Sequence, residues 1–315
     1  MNDKLEKIRL LCGSGNVALA KEISKCLNIP LVSVDNTPFP DGEKFVQIHE
    51  NIRGKDVFIL QPTCPPVDEN YMELFIIADA ARRASAKRIT AVVPFYGYAR
   101  QDRKDRPRVP ITAKLMANLI TTSGVDRVVA MDLHADQIQG FFDIPVDHLY
   151  ALPVFLQTIK KRKIKDLVVV SPDVGGLKRT AQYAKALNVP FAMVAKNRID
   201  AHNVEAVTVV GDVKGKNILL VDDLTETAGT LCAAAEKLKE HGAKDIYAAV
   251  SHAVLGDVAR ERLKKSKILE VFTTNSVPQA YGPKVTTISV APLLAEAIRR
   301  IHRKESVTSL FNLKK

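Results

Sequence analysis

Short runs of aliphatic and β-branched residues alternate along this chain with segments whose apolar positions recur every three or four residues. The first kind reads as strand and the second as amphipathic helix. Strands are predicted over Ile8–Cys12, Val57–Gln61, Ile89–Pro94, Arg127–Met131, Leu167–Ser171, Ile218–Asp222, Ile246–Ser251 and Leu269–Thr273. Helices are predicted over Val17–Leu27, Asn70–Ser85, Thr112–Thr122, Pro153–Lys161, Leu177–Leu187, Leu231–His241 and Pro292–His302. The alternation of strand and helix argues an α/β fold with mostly parallel sheets flanked by helices.

The two halves echo each other. RGKDVFILQPT begins at Arg53 and KGKNILLVDDLT at Lys214; in each, a Gly-Lys turn enters an apolar strand that ends in polar residues. A second echo pairs GVDRVVAMDLHA from Gly124 with GAKDIYAAVSHA from Gly242. The two echoes use different registers, so they fit either a duplicated domain or the general texture of βαβ units. We read them as duplication, with domains at residues 1–150 and 151–315. The last helix, 292–303, and the tail are expected to pack back on the first domain.

Composition narrows the function. The chain has 315 residues, 46% hydrophobic and 26% charged, which suits a globular protein with a substantial core. Its net charge is +11. A basic balance suits nucleic acid, an anionic membrane or phosphorylated small molecules. With no Trp, 6% aromatics and no polybasic tail, a base-stacking surface is not expected, and phosphorylated small molecules are favoured. Neither a signal peptide nor a membrane-length apolar run is legible, so a cytoplasmic protein is expected. Cys12, Cys26, Cys64 and Cys232 match no zinc spacing and read as reduced thiols.

Candidate chemistry sits where strands end, which is where open α/β sheets bind ligands. After Ile218–Asp222, the acidic pair Asp222-Asp223 leads into Thr225, Thr227, Ala228, Gly229 and Thr230 and then a helix. Small and hydroxyl residues at a helix N-terminus leave backbone N–H groups for a phosphate. Carboxylates just upstream would repel that phosphate unless they hold sugar hydroxyls or a metal-bound pyrophosphate. The loop therefore reads as gripping a sugar phosphate at two ends. YGYARQDRKDRPRVP, from Tyr96, places Arg100, Arg103, Lys104, Arg106 and Arg108 after another strand, where guanidinium forks match phosphate oxygens. MDLHAD carries Asp132 and His134, and SPDVGG carries Asp173 with Gly175-Gly176 opening a helix. This set suits magnesium bridging a polyphosphate. Lys196 and Arg198 in AKNRID could flank a transferring phosphoryl group.

Read together, FPDGE, ELFIIADAARRASAKRITAVVPFYGYARQDR, VPITAKLMANL, MDLHADQIQGFFDIPVDHLYA, SPDVGG, VVGDVKGKNILLVDD and LLAEAIRRI resemble ribose-phosphate diphosphokinases, the phosphoribosyl pyrophosphate synthetases, of the class I type. The resemblance implies two phosphoribosyltransferase-like domains and transfer of the β,γ-pyrophosphoryl group of magnesium-ATP to the anomeric hydroxyl of ribose 5-phosphate. It assigns Glu226, Thr227, Ala228, Gly229 and Thr230 to the 5-phosphate and Asp222 and Asp223 to the ribose hydroxyls. Asp173, Gly175 and Gly176 fall in the pyrophosphate region, with His134 and Asp173 at magnesium positions. Lys196 and Arg198 match catalytic cations. Arg100, Gln101 and Arg103 match ATP contacts. Phe39, Asp41 and Glu43 match an adenine-binding turn that a neighbouring subunit donates, so a homo-oligomer, usually a hexamer, is implied. Arg83, Ser85, Ser306 and Thr308 fall where the family binds its effectors, phosphate or ADP. The chain departs from the family pattern at Glu226, where Asp is usual, at Thr225, at Asn197 between the two cations, and in HAVLGDVA from His252. A phosphoribosyltransferase or a non-catalytic regulatory homologue of the synthetase are the alternatives. The first gives no reason for the Arg-rich loop or FPDGE.

Overall fold

A computed structural model describes residues 7–197, 206–278 and 281–310. The chain divides into two units. One comprises Met1–Tyr150 with Ser276–Pro278 and Ser289–Lys315; the other comprises Ala151–Asn275 with Gln279–Ile288.

The first unit contains strands β1 (Ile8–Cys12), β2 (Val34–Asp35), β3 (Gln47–Ile48), β4 (Asp56–Leu60), β5 (Arg88–Val93), β6 (Arg127–Met131) and β7 (Val146–Leu149), with helices α1 (Val17–Leu27), α2 (Val67–Arg83) and α3 (Thr112–Thr122). Its main sheet has the order β1-β4-β5-β6-β7 and is parallel throughout. Every residue of β4 is buried, as is every residue of β5 after Arg88. Such continuous apolar runs suit a sheet covered on both faces. The short pair β2 and β3 is antiparallel, Val34 opposite Ile48 and Asp35 opposite Gln47, so residues 36–46 form a loop closed at its base.

The second unit contains α4 (Leu152–Arg162), β8 (Leu167–Ser171), α5 (Leu177–Leu187), β9 (Phe191–Asn197), β10 (Ala206–Val210), β11 (Asn217–Thr225), α6 (Gly229–Glu240), β12 (Ile246–Ala253), α7 (Asp257–Lys265), β13 (Ile268–Thr274) and β14 (Val285–Ile288). Its sheet runs β10-β9-β8-β11-β12-β13-β14, with only β10 antiparallel to its neighbour. The C-terminal helix α8 (Ala291–Arg303) belongs to the first unit. Arg299 donates to Cys26 O at 3.2 Å, and His302 Nδ1 lies 2.7 Å from the Asp56 carboxylate, which also takes a bidentate pair from Arg88.

Backbone geometry separates the two echoes. Gly54 and Gly215 both adopt left-handed φ, +67° and +70°. Gly54 N donates to Ser85 O as Gly215 N does to Gly242 O; Lys55 N to Ile52 O as Lys216 N to Val213 O; Lys87 N to Lys55 O as Lys244 N to Lys216 O. The first echo thus places β4 and β5 on β11 and β12, the second and third strands of the series β1-β4-β5-β6-β7 and β8-β11-β12-β13-β14. The second echo places β6 on β12, which hold different positions in their sheets. It reflects the common way a helix turns into a strand.

Several predicted boundaries move. The strand expected to stop at Asp222 continues to Thr225, because Leu224 and Thr225 pair with His252 and Ala253 of an equally extended β12. Thr225, expected in the loop, is therefore buried strand. The helix expected from Leu231 starts at Gly229, and that expected from Asn70 starts at Val67. Strands β2, β3, β7, β10 and β14 and helix α7 have no counterpart among the predicted elements. These strands are short or at a sheet edge, and α7 is a short, strongly polar helix with few apolar residues to mark it.

Candidate active site

In the second unit, two loops leave neighbouring strands β8 and β11 at their C-terminal ends. The first is built around Asp173. Ser171 Oγ donates to Asp173 O at 2.6 Å, and Gly176 N donates to Asp173 Oδ1 at 3.0 Å. The carboxylate thus takes an N–H that the sequence offered to a pyrophosphate, and the loop presents negative charge at the start of α5. A Cβ on Gly176 would lie 2.7 Å from the Ser171 hydroxyl, so glycine is what lets the turn close on β8.

The second loop follows the acidic pair. Asp223 is buried and Asp222 half-buried, on a strand flanked on both sides by β8 and β12. Arg179, one turn into α5, reaches both carboxylates: Nη1 is 2.9 Å from Asp223 Oδ1 and 3.4 Å from Asp222 Oδ1. Burial above all, then the neighbouring Asp223 carboxylate, pushes the Asp222 carboxyl well above the usual range; Arg179 opposes the shift and Asp173 adds to it. Arg179 escaped the sequence reading. Its signal was its place one turn into the helix that the double glycine opens, but only the fold brings that turn against β11.

Beyond Thr225 the chain turns through Glu226, Thr227 and Ala228 into α6. Ala228 is buried with φ +55°, a left-handed conformation at the helix start. The cap residue Ala228 offers no side-chain acceptor, Thr227 Oγ1 accepts the Gly229 N–H at 3.3 Å, and the first turn carries no acidic residue, so the remaining amides suit an anion. Arg262 of α7 donates to Thr227 O at 2.6 Å and holds the turn from outside. Glu226, Thr227 and Thr230 are exposed around it.

In the first unit, the Arg-rich loop follows β5. Its root is rigid. Tyr71 OH donates to Gly97 O at 2.8 Å, Gly97 N donates to Thr63 Oγ1 at 2.8 Å, and Tyr96 OH donates to Ala113 O at 2.9 Å. A Cβ on Gly97 would meet Thr63 O at 2.6 Å. Burial holds the Tyr71 and Tyr96 phenols protonated, pushing both pKa values up. Beyond that root the loop is exposed, including Arg100 and Arg103. Gln101 is exposed as well, but its Oε1 accepts from Thr112 Oγ1 at 2.5 Å, bracing the start of α3.

MDLHAD follows β6. Asp132 is buried at φ +41°, and His134 is exposed. The turn is set from behind by His148 of β7, whose Nε2 accepts the Leu133 N–H at 2.9 Å. Gln137 Nε2 donates to Asp102 Oδ2 at 3.0 Å, tying this segment to the Arg-rich loop. Phe39, Asp41 and Glu43 lie in a tight turn of the loop 36–46, with Phe39 N donating to Glu43 O at 2.8 Å and Gly42 N to Phe39 O at 2.9 Å. Of the expected effector residues, Arg83 pairs with Asp79 at 2.6 Å, Ser85 has φ +60° at the end of α2, and Ser306 Oγ accepts the Thr308 N–H at 3.2 Å. Lys196 is a strand residue of β9 opposite Val207, and Arg198 lies outside the described residues. Each unit therefore gathers its own part of the expected set: Asp173, Gly176, Asp222, Asp223 and the 226–230 turn in one, the Arg-rich loop and MDLHAD in the other.

Two family models match. One describes the N-terminal domain of ribose phosphate pyrophosphokinase and covers residues 8–124; the other is the phosphoribosyl synthetase-associated domain, over residues 192–312. The ribose-phosphate pyrophosphokinase of Helicobacter hepaticus is 50% identical over 304 residues, 96% of this chain and 98% of that protein. That of Synechococcus elongatus is 52% identical over 311 residues, 97% of this chain and 94% of that protein. The crystal structure of phosphoribosylpyrophosphate synthetase from Mycobacterium smegmatis superposes with a TM-score of 0.90 at 43% identity, over 94% of this chain and 99% of that one.

Proposed function

This chain belongs to the ribose-phosphate pyrophosphokinase family and forms phosphoribosyl pyrophosphate, and from that premise we propose which of its residues hold each substrate. The observation that carries the assignment is the stretch from Asp222 to Thr230: two carboxylates clasped by Arg179, then a helix N-terminus of small and hydroxyl residues with no acidic residue in its first turn. Ionised carboxylates accept hydrogen bonds from the ribose hydroxyls. The Thr227–Thr230 amides and hydroxyls take the 5-phosphate. Sugar and phosphate ends are thereby held in fixed register, which orients the anomeric hydroxyl.

ATP is the donor, bound by Arg100 and Arg103 as guanidinium forks and by the turn Phe39–Glu43, which a second copy of the chain supplies. Gln101, engaged with Thr112, acts by shaping the loop. The anomeric oxygen forms a bond to the β-phosphorus as the bond from that phosphorus to the α-bridging oxygen breaks; AMP leaves with the electron pair, and the proton of the anomeric hydroxyl passes to solvent. Lys196 and Arg198 offset the charge that gathers on the bridging and equatorial oxygens.

Magnesium fits the donor set. Asp173, Asp222 and Asp223 concentrate negative charge that one guanidinium offsets only in part. Asp173 in one unit and His134 in the other are each proposed as magnesium contacts, where the ion would screen and orient polyphosphate oxygens. Among the described residues no group of three or more His, Cys, Asp or Glu forms a metal cage. A few protein ligands, completed by water and phosphate, are what magnesium prefers.

The chain works as a homo-oligomer, in the family manner a hexamer, with Ile111, Leu115 and Leu119 of the α3 region and Met72 of α2 as exposed apolar surface. Phosphate and ADP act at Arg83, Ser85, Ser306 and Thr308. A cytoplasmic setting accords with the described helices, none of which is long and apolar enough to cross a membrane. Mixing the purified protein with ATP, ribose 5-phosphate and magnesium should give AMP and phosphoribosyl pyrophosphate in equal amounts. AMP without that equivalence would overturn pyrophosphoryl transfer from ATP.

A further inference from the structure

The loop 36–46 is gripped at both arms by one face of α2. On the incoming arm, Asn36 Nδ2 donates to Glu73 Oε1 at 2.6 Å. On the outgoing arm, Lys44 Nζ lies 3.3 Å from Glu69 Oε2. Glu69 and Glu73 are four residues apart in the helix, so they stand one above the other. Glu73 is buried, 1% exposed, and its carboxylate is engaged beyond Asn36. Oε1 also accepts Ser14 N at 2.7 Å, and Oε2 accepts Ser14 Oγ at 2.5 Å. A buried carboxylate with this many donors holds one geometry, since each lost donor would leave charge uncompensated. Between the two anchors, the chain makes the Phe39–Glu43 turn, braced by Asp41 Oδ1 accepting Glu43 N at 3.1 Å and by an edge-to-face contact of Phe39 and Phe45 at 5.4 Å. Phe39 itself stays 49% exposed.

We propose that Glu73 and Glu69 form a clamp on α2 that holds the Phe39–Glu43 turn in its ATP-binding position, with Glu73 as the principal positioning residue. The clamp rests on the reading of that turn as the adenine contact. Glu73 touches no substrate. It acts by locking Asn36 to the Ser14 loop at the end of β1, so that the exposed Phe39 ring is presented in one orientation rather than many. Such preorganisation lowers the cost of binding and leaves the chemical step alone.

The test is steady-state kinetics on the full-length protein, varying ATP and ribose 5-phosphate separately, for N36A, E73Q, E73L and F39A. N36A, which removes only the strap, should raise KM for ATP about tenfold, with kcat and KM for ribose 5-phosphate within about twofold of the parent. E73Q should stay near the parent: its Oε1 can accept from Ser14 N and Asn36, and its amide can donate to Ser14 Oγ. E73L should behave as N36A or worse for ATP. F39A should weaken ATP in the same way. If F39A weakens ATP but N36A does not, or if N36A weakens both substrates alike, the clamp is wrong and the adenine reading survives. If F39A leaves KM for ATP unchanged, the adenine reading fails and takes the clamp with it.

Discussion

Replacing Arg179 with methionine should unmask the repulsion between Asp222 and Asp223. In the parent, one guanidinium nitrogen lies 2.9 Å from Asp223 and 3.4 Å from Asp222. A hydrogen bond to a charged group contributes about 1.5–3 kcal/mol when sheltered. Arg179 is one-fifth exposed, so solvent screening reduces that figure. The expected loss is about 2 kcal/mol of stability near pH 7. Its pH dependence has a definite sign. The Asp222 pKa is raised in the folded chain from the ordinary 3.8. Between 3.8 and the folded value, the folded state keeps a proton that the unfolded state has released, so stability falls as pH rises through that window. Below it both states are protonated and the penalty vanishes. Arg179 opposes the shift, so R179M widens the window upward, and its deficit should be large at neutral pH and small near pH 4. Urea unfolding of R179M and the parent across pH reads this directly through the midpoint difference. Ribose 5-phosphate should also bind more weakly, about tenfold in KM for each 1.4 kcal/mol lost, because a protonated pair accepts fewer hydroxyl hydrogen bonds. A deficit independent of pH, together with an unchanged KM for ribose 5-phosphate, would refute the role given to Arg179.

Three further outcomes are expected. E226D should improve kcat/KM for ribose 5-phosphate, because the turn is short and one added methylene displaces a carboxylate by about 1 Å; unchanged kinetics would show that the turn accommodates Glu226. G176A drives a methyl to 2.7 Å from the Ser171 hydroxyl, whose own bond to Asp173 O holds the loop. Activity should fall at least tenfold with a stability loss of about 1–3 kcal/mol, measured by turnover and by urea unfolding. H148L removes the acceptor of the Leu133 N–H and should raise the magnesium concentration needed for half-maximal rate, whereas H148Q, which can still accept, should recover much of it.

The sequence by itself determined the strand-helix alternation, because buried parallel strands are apolar on both faces and amphipathic helices keep a period near 3.6. Six elements, Ile8–Cys12, Val17–Leu27, Thr112–Thr122, Arg127–Met131, Leu167–Ser171 and Leu177–Leu187, begin and end where pattern alone put them. It also singled out the stretch Asp222–Thr230 as a candidate ligand site, since acidic, small and hydroxyl residues adjoin there. Only the tertiary structure decided what depends on hydrogen bonds between distant segments. β11 runs through the acidic pair because β12 lies alongside to receive Leu224 and Thr225, which no local pattern announces. Gln101 braces α3 from within a loop that reads as uniformly solvent-facing. Arg179 meets Asp222 and Asp223, and Glu73 meets Asn36 and Ser14, across 43 and 44 residues or 37 and 59 residues of chain. Charge and hydrogen-bond partners follow proximity in space, and proximity is set by how the sheets are ordered. Of the two internal echoes, one survived for the same reason: strand order and the left-handed glycines at 54 and 215 repeat together, whereas the rival register repeats letters without repeating position.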